Sequence, residues 1–375
     1  MSKTINTLKR SKGFSLVELM IAMAILVTLV ALCVSFLQTS WRSHNVTQLY
    51  AVVKSELQSG SIRLSKGLNQ AKAVFGNDTL GNAYRNKISL SDSPAIIPDS
   101  TLPTIRVSGS LAIEKTCAVS PENFFRANSV GNALLYAELD DTFRDFSGGI
   151  DARVDVYVFK YIYISDDTDY DIYQGNNVFQ GQRLIEWRSV RFVSAEQLER
   201  LLTLFPGSAS TIRSDLISNN INFAWERSSA NANTAFYNVA GAGTSLSSAG
   251  ASFQIPKARH TSVFRFPSSS DTRYSIAYNQ TQSGNGGQTM NLRNPVPGFY
   301  NPTVPSCPPN AQDVIPASDT TPALSLGTFP RGFETAIVGH SSGRSILIRT
   351  TAVGQSSHNS FVDITYLHTA YARDL

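Results

Sequence analysis

Several things are scarce in this chain. Only 16% of its 375 residues are charged, only three are cysteine and five are histidine, and no proline occurs before Pro94. Three cysteines exclude a disulfide-dense scaffold. The histidines show no paired metal-ligand spacing. The lack of early prolines means that no enforced helix break occurs before Ser93. No internal repeat is present, which excludes a solenoid or a propeller. Charge is scarcest between Phe14 and Leu37, where Glu18 is the only charged residue among 24.

That stretch, FSLVELMIAMAILVTLVALCVSFL, is as long, as a helix, as a bilayer's hydrocarbon core is thick. A carboxylate near one end of it is costly, about 2.5–3.5 kcal/mol at mid-helix and less near the interface, so it calls for a partner. Ahead of it, Met1–Gly13 carries Lys3, Lys9, Arg10 and Lys12 and no acid, a pattern that keeps the leader cytoplasmic and sends the C-terminus outward. A secretory signal places its cleavage site after the apolar run. Here the small residue, Gly13, precedes it.

Gly13-Phe14-Ser15-Leu16-Val17-Glu18, behind a short basic leader and ahead of an uninterrupted apolar run, resembles the processing site of type IV prepilins. That class includes pilins and the pseudopilins of type II secretion. The resemblance covers residues 8–40 and implies that a membrane peptidase cuts between Gly13 and Phe14 and methylates the new Phe14 amine. It also implies that Glu18 acts in assembly. The chain is most similar to the PilW-like minor pilins, because its head of roughly 300 residues is large for a repeated shaft subunit. The partners implied are the prepilin peptidase, other minor pilins and the major pilin, a PilY-type tip adhesin, and the inner membrane before assembly. The alternatives are a J-type minor pseudopilin and a competence pilin contacting DNA. Removing the four leader cations from 32 Lys and Arg leaves 28, equal to the 28 Asp and Glu, and this neutrality argues against nucleic acid.

After Leu37, Val46, Leu49, Tyr50, Val53, Leu57, Leu64 and Leu68 keep helical spacing. The pattern predicts one helix from Phe14 to Lys66, about 80 Å long, whose amphipathic half (38–66) lies on a sheet. Gly60 and Gly67 read as weakening its end. The expected fold is α+β, with a leader (1–13), a membrane or fibre-core helix (14–37), its amphipathic continuation (38–66), and a large, mainly antiparallel β-rich head (67–375). Ile150–Ile164 alternates aliphatic and aromatic residues as a strand, and Arg183–Val193 reads as a second, with a loop between. Ser194 with Gln197 forms a capping-box pattern before Leu198, Leu201, Leu202 and Phe205, and Pro206-Gly207 ends that helix. Further strands are expected at Asn222–Trp225, Ser262–Phe266, Tyr274–Tyr278, Glu334–Val338, Ser345–Arg349 and Val362–Tyr371. Ser228–Ser252, rich in Ser, Ala, Asn and Gly, reads as a flexible loop. Residues 294–322 hold eight of the sixteen prolines and read as an extended loop.

Other chemistries are weaker. Cys117 and Cys307 fall on the exported side, and a bridge between them closes a loop of about 190 residues. Two buried thiols are the alternative, which non-reducing peptide mapping separates. Cys33 sits in the apolar helix. Asp167, Asp169 and Asp171 suggest a calcium loop, but Ile172 stands where an EF-hand needs Gly and Val178 where it needs Glu, so a solvated turn reads better. Gly339-His340-Ser341-Ser342-Gly343 matches a hydrolase nucleophile elbow, with Asp363 and His368 following. A strand-like segment follows it instead of a helix, which favours a hairpin turn and a non-enzymatic chain. No cofactor motif is legible.

Overall fold

In the computed structural model the described residues are 15–97, 100–106, 131–167, 171–174, 177–179, 181–267, 272–276, 332–340, 343–356 and 361–373. The chain divides into two units, Met1–Gln48 and Leu49–Leu375. Helix α1, Leu16–Asn69, begins in the first and ends in the second. In the second unit its buried residues are Leu49, Val53, Leu57, Gly60, Ser61, Leu64, Gly67 and Leu68. The helical spacing thus picks out the inward face, except that Tyr50 is exposed. The helix also runs three residues past Lys66.

A nine-stranded sheet forms the main body. Its path runs β1 (Ala71–Phe75), β3 (Leu134–Phe143), β4 (Val154–Asp166), β8 (Phe192–Ser194), β9 (Phe223–Trp225), β10 (Phe236–Asn238) and β11 (Ser247–Ser248). Strand β7 (Gln182–Ser189) also pairs with β4, and β12 (Lys257–Ser262) with β7. All these pairs are antiparallel except β8 with β9. A second sheet of five strands holds β13 (Thr272–Ile276), β15 (Gly343–Ser356), β14 (Phe333–His340) and β2 (Ile105–Arg106), with β16 (Phe361–Ala372) on β15. The result is the expected α+β fold with mostly antiparallel sheets. Between β4 and β7, where the sequence suggests a loop, β5 (Ile172–Gln174) and β6 (Asn177–Phe179) make a small hairpin.

The alternation in β4 explains the core. Tyr157, Phe159, Tyr161 and Tyr163 join Phe75, Tyr84, Trp187, Phe192, Trp225 and Phe236 in one aromatic cluster. Val154 and Val156 face the other way, against α3 (Ala195–Leu204) and α4 (Ala209–Ser218). Burying each large apolar side chain contributes about 1.5–3 kcal/mol. The polar ends of the rings are also partnered: Trp225 Nε1 donates to the Tyr84 hydroxyl at 3.0 Å, Trp187 Nε1 to the Ser89 carbonyl at 2.9 Å, and Tyr163 to the Pro94 carbonyl at 2.7 Å. These bonds fasten residues 84–94, including part of α2 (Thr79–Asn86), to the aromatic face.

Several expectations need correction. The predicted strand Arg183–Val193 breaks into β7 and β8, because Val190 donates its N–H to the Pro256 carbonyl at 3.0 Å. The Phe159 N–H left facing the gap is taken by Ser189 Oγ at 2.8 Å. Ser194 caps α3 as expected, but Gln197 turns aside, its Nε2 donating to Asp155 at 2.9 Å. Phe205 is exposed. Ser262–Phe266 is not a strand, since the ladder to β7 ends at Ser262. Ser228–Ser252 is no flexible loop: it supplies β10 and β11, and buries Ala232, Ala235, Phe236 and Val239. Arg213, itself buried, explains this order by donating to the carbonyls of Val239, Gly243 and Ser245. Helices α2 and α4 were not foreseen. Residues 294–322 lie outside the described residues.

His368 on β16 is half-buried, has its ring centre 5.9 Å from that of Tyr366 with the planes tilted by 35°, and has no hydrogen-bond partner for either ring nitrogen among the described residues. Burial pulls its pKa down from 6.5 to about 4. Between those values the unfolded chain takes up a proton that the fold resists, so this contribution is full above pH 6.5 and is lost as pH falls toward 4. Glu138, whose carboxyl burial pushes up, acts in the opposite sense. Comparing urea unfolding of the wild type and His368→Phe at pH 7 and pH 5 isolates the histidine. The wild type should lose about 1 kcal/mol more than the variant, after discounting for residual exposure.

Candidate functional site

The first turn of α1 carries a reciprocal cap. The Ser15 N–H donates to Glu18 Oε2 at 2.9 Å, and the Glu18 N–H donates to Ser15 Oγ at 3.2 Å. This is the S-x-x-E capping box, which satisfies two backbone donors that a helix start otherwise leaves open. The carboxylate also stands at the positive end of the helix dipole. Glu18 therefore already has a structural role within its own chain. Sequence reasoning overlooked Ser15, although the same pattern at Ser194 was recognised.

Beyond the cap, the helix is apolar on every side. Leu16, Met20, Leu26, Val30 and Phe36 are all more than half exposed. By length and composition α1 is, among the described residues, a helix able to cross a membrane, and none of its apolar window is buried within the protein. Three of its threonines are satisfied internally: Thr28, Thr39 and Thr47 each donate to the carbonyl four residues back. Such back-bonding removes the cost of placing a hydroxyl in hydrocarbon. Cys33 is a free, exposed thiol on this helix.

Residues 8–34 match a family model described as the prokaryotic N-terminal methylation motif. The match supports a type IV pilin-like or pseudopilin protein. A motif of this class implies processing by a prepilin peptidase and assembly with other pilins. With the apolar helix that it enters, the motif supports inner-membrane anchoring of the pilin-like chain. The family is structural and not enzymatic. No curated protein and no solved structure matches the chain.

The other predicted site residues fare differently. Gly13, Phe14, Cys117, Cys307 and Asp169 lie outside the described residues. Asp167 pairs with Arg183 at 2.7 Å, and Asp171 accepts from the Gly181 N–H at 2.9 Å, so both acids serve the turn. Among the described residues no three His, Cys, Asp or Glu side chains are grouped to hold a metal ion. Strands β14 and β15 pair antiparallel, with His340 opposite Gly343, so among the described residues a strand stands where the elbow needs a helix. Asp363 and His368 both lie on β16, opposite Val353 and Ile348.

Proposed function

We propose that the chain is a minor pilin of a type IV pilus, of the PilW-like kind. It acts in fibre assembly or initiation near the tip, and through that in adhesion and twitching motility. Residues 1–13 are the leader removed by the prepilin peptidase, and Phe14 becomes the methylated amino terminus. The 14–37 segment passes from the inner membrane into the fibre core, 38–66 continues the helix, and 67–375 is the periplasmic and then extracellular head. The observation that carries this reading is the methylation motif at residues 8–34, which runs from the basic leader into an exposed apolar helix. The size of the head favours a subunit present in few copies, since a repeated shaft packs its subunits closely.

Deleting the chain's gene tests the role. Surface fibres counted by electron microscopy should become rare while secretion of exoproteins continues at its normal rate. Normal fibres with failed exoprotein secretion would instead assign the chain to type II secretion as a J-type pseudopilin. Normal fibres with lost DNA uptake would make it a competence pilin.

A further inference from the structure

Within the head, a cleft of about 320 Å³ opens between the last turns of α1 and strands β7 and β12. Among the described residues its walls include Arg63, Lys66, Lys160, Arg259 and Arg265 and one acid, Glu186. The sheet register lines up more positive charge, because Lys160, Arg188 and Arg259 stand opposite one another on β4, β7 and β12. Like charges directly across strands repel. Two of the three are offset, Lys160 by Glu138 at 2.6 Å and Arg188 by Asp140 at 2.5 Å. Arg63 donates to the Val263 carbonyl and meets no acid in doing so. Lys66, Arg259 and Arg265 are exposed and form no ion pair among the described residues.

The cleft borders an open sheet edge. Among the described residues β12 pairs only with β7, and Ala258–Thr261 are exposed. Charged residues on an edge strand often serve only to block chance pairing with other chains. That purpose does not need Arg63 and Lys66 on a helix, nor Arg265 beyond the strand, gathered into one concavity. A cationic edge repels basic strands and favours an acidic one over a neutral one.

We propose that this cleft and the free edge of β12 receive an extended acidic segment of a partner protein. It adds to the sheet as a further strand, and carboxylates at its alternate positions meet Arg259, Arg265 and Lys66. The chain's own stretches 107–130 and 277–331 are poor occupants, since their acids are Glu114, Glu122, Asp313 and Asp319, too widely spaced to alternate. A nucleic acid suits the site less well. It cannot use the backbone ladder, and the nearby rings of Phe264 and Tyr274 are buried and unavailable for stacking. The assignment concerns the head alone and stands whichever fibre the chain joins.

Fluorescence anisotropy on the full chain in detergent tests it, with a labelled peptide of roughly ten residues alternating Glu and Thr. That peptide should bind, and rising salt should weaken it. An isomer with its Glu residues clustered at one end should bind less tightly. The Arg259→Glu, Arg265→Glu double variant should bind roughly tenfold or more weakly, with an unchanged unfolding midpoint because neither side chain forms an ion pair among the described residues. Equal binding by this variant, or by the clustered isomer, would overturn the proposal. So would competition by single-stranded DNA or inorganic phosphate as strong as that of the peptide, which would mark a general anion site.

Discussion

Cells expressing Glu18→Val should yield sheared fibres nearly empty of this subunit, with cleavage of the leader largely intact. Processing as proposed creates a pair of charges. In the proposed processing, removal of the leader would leave a free amine on Phe14, four residues before Glu18. Within its own chain this carboxylate already accepts from the Ser15 N–H, whereas a neighbouring subunit shifted along the fibre axis can bring its amine to it. In an apolar bundle a paired charge is strongly favoured over one buried alone, and breaking such a pair by removing one partner costs about 3–5 kcal/mol. The capping box supplies a control. Ser15→Ala removes the hydroxyl that accepts from Glu18 but keeps the carboxylate. Loss of a cap costs only about 0.5–2 kcal/mol, so this variant should enter fibres at close to the normal level. If Glu18→Val is recovered from fibres as well as the wild type, Glu18 does no more than cap its helix. If Ser15→Ala fails as badly as Glu18→Val, the cap and not the intersubunit pair is what assembly needs.

Gly67→Leu should destabilise the head by about 3 kcal/mol or more through overpacking. A Cβ at Gly67 lies 2.7 Å from the Tyr136 hydroxyl and 2.9 Å from Glu138 Oε2. Both atoms are buried and lack a hydrogen-bond partner among the described residues, so neither can move toward water. Burial pushes the Glu138 carboxyl up, while Lys160 at 2.6 Å opposes it, and a side chain wedged between helix and sheet would disturb that pair. Gly60, one heptad earlier, meets the Phe264 ring in the same way. Gly207→Ala is the control, as nothing lies within 4 Å of that position. Chemical unfolding of the three proteins in detergent checks the order. An unchanged midpoint for Gly67→Leu would mean that α1 does not sit closely on β3.

These two glycines show where the sequence stops being informative. Helical spacing placed Leu49, Val53, Leu57, Leu64 and Leu68 on the buried face, because periodicity reports burial directly. The same local view took Gly60 and Gly67 as weak points of the helix, when their purpose is to let it approach the sheet. Strand β4 was legible from its alternation, and α3 from its cap. Residues 228–252 were not, since their order comes from Arg213 and from Phe236 in a core assembled by distant segments. Composition carries no trace of a clamp from another helix. The Ser15–Glu18 box was legible but overshadowed, because an acid in an apolar run drew attention to partners outside the chain. The cationic cleft could not be read at all: its residues come from α1, β4, β7, β12 and the segment after it, and only sheet register brings them together.

The central claim is that residues 1–13 are a leader and that the apolar helix begins the mature protein. Intact mass and N-terminal peptide mass of the chain, purified from cells with an active prepilin peptidase, test it most directly. The account predicts an amino terminus at Phe14 carrying one added methyl group, and an uncut chain when Gly13 is replaced by a bulky residue that bars close approach of the peptidase to the backbone. A mature chain that keeps Met1, or begins at any residue other than Phe14, would contradict it.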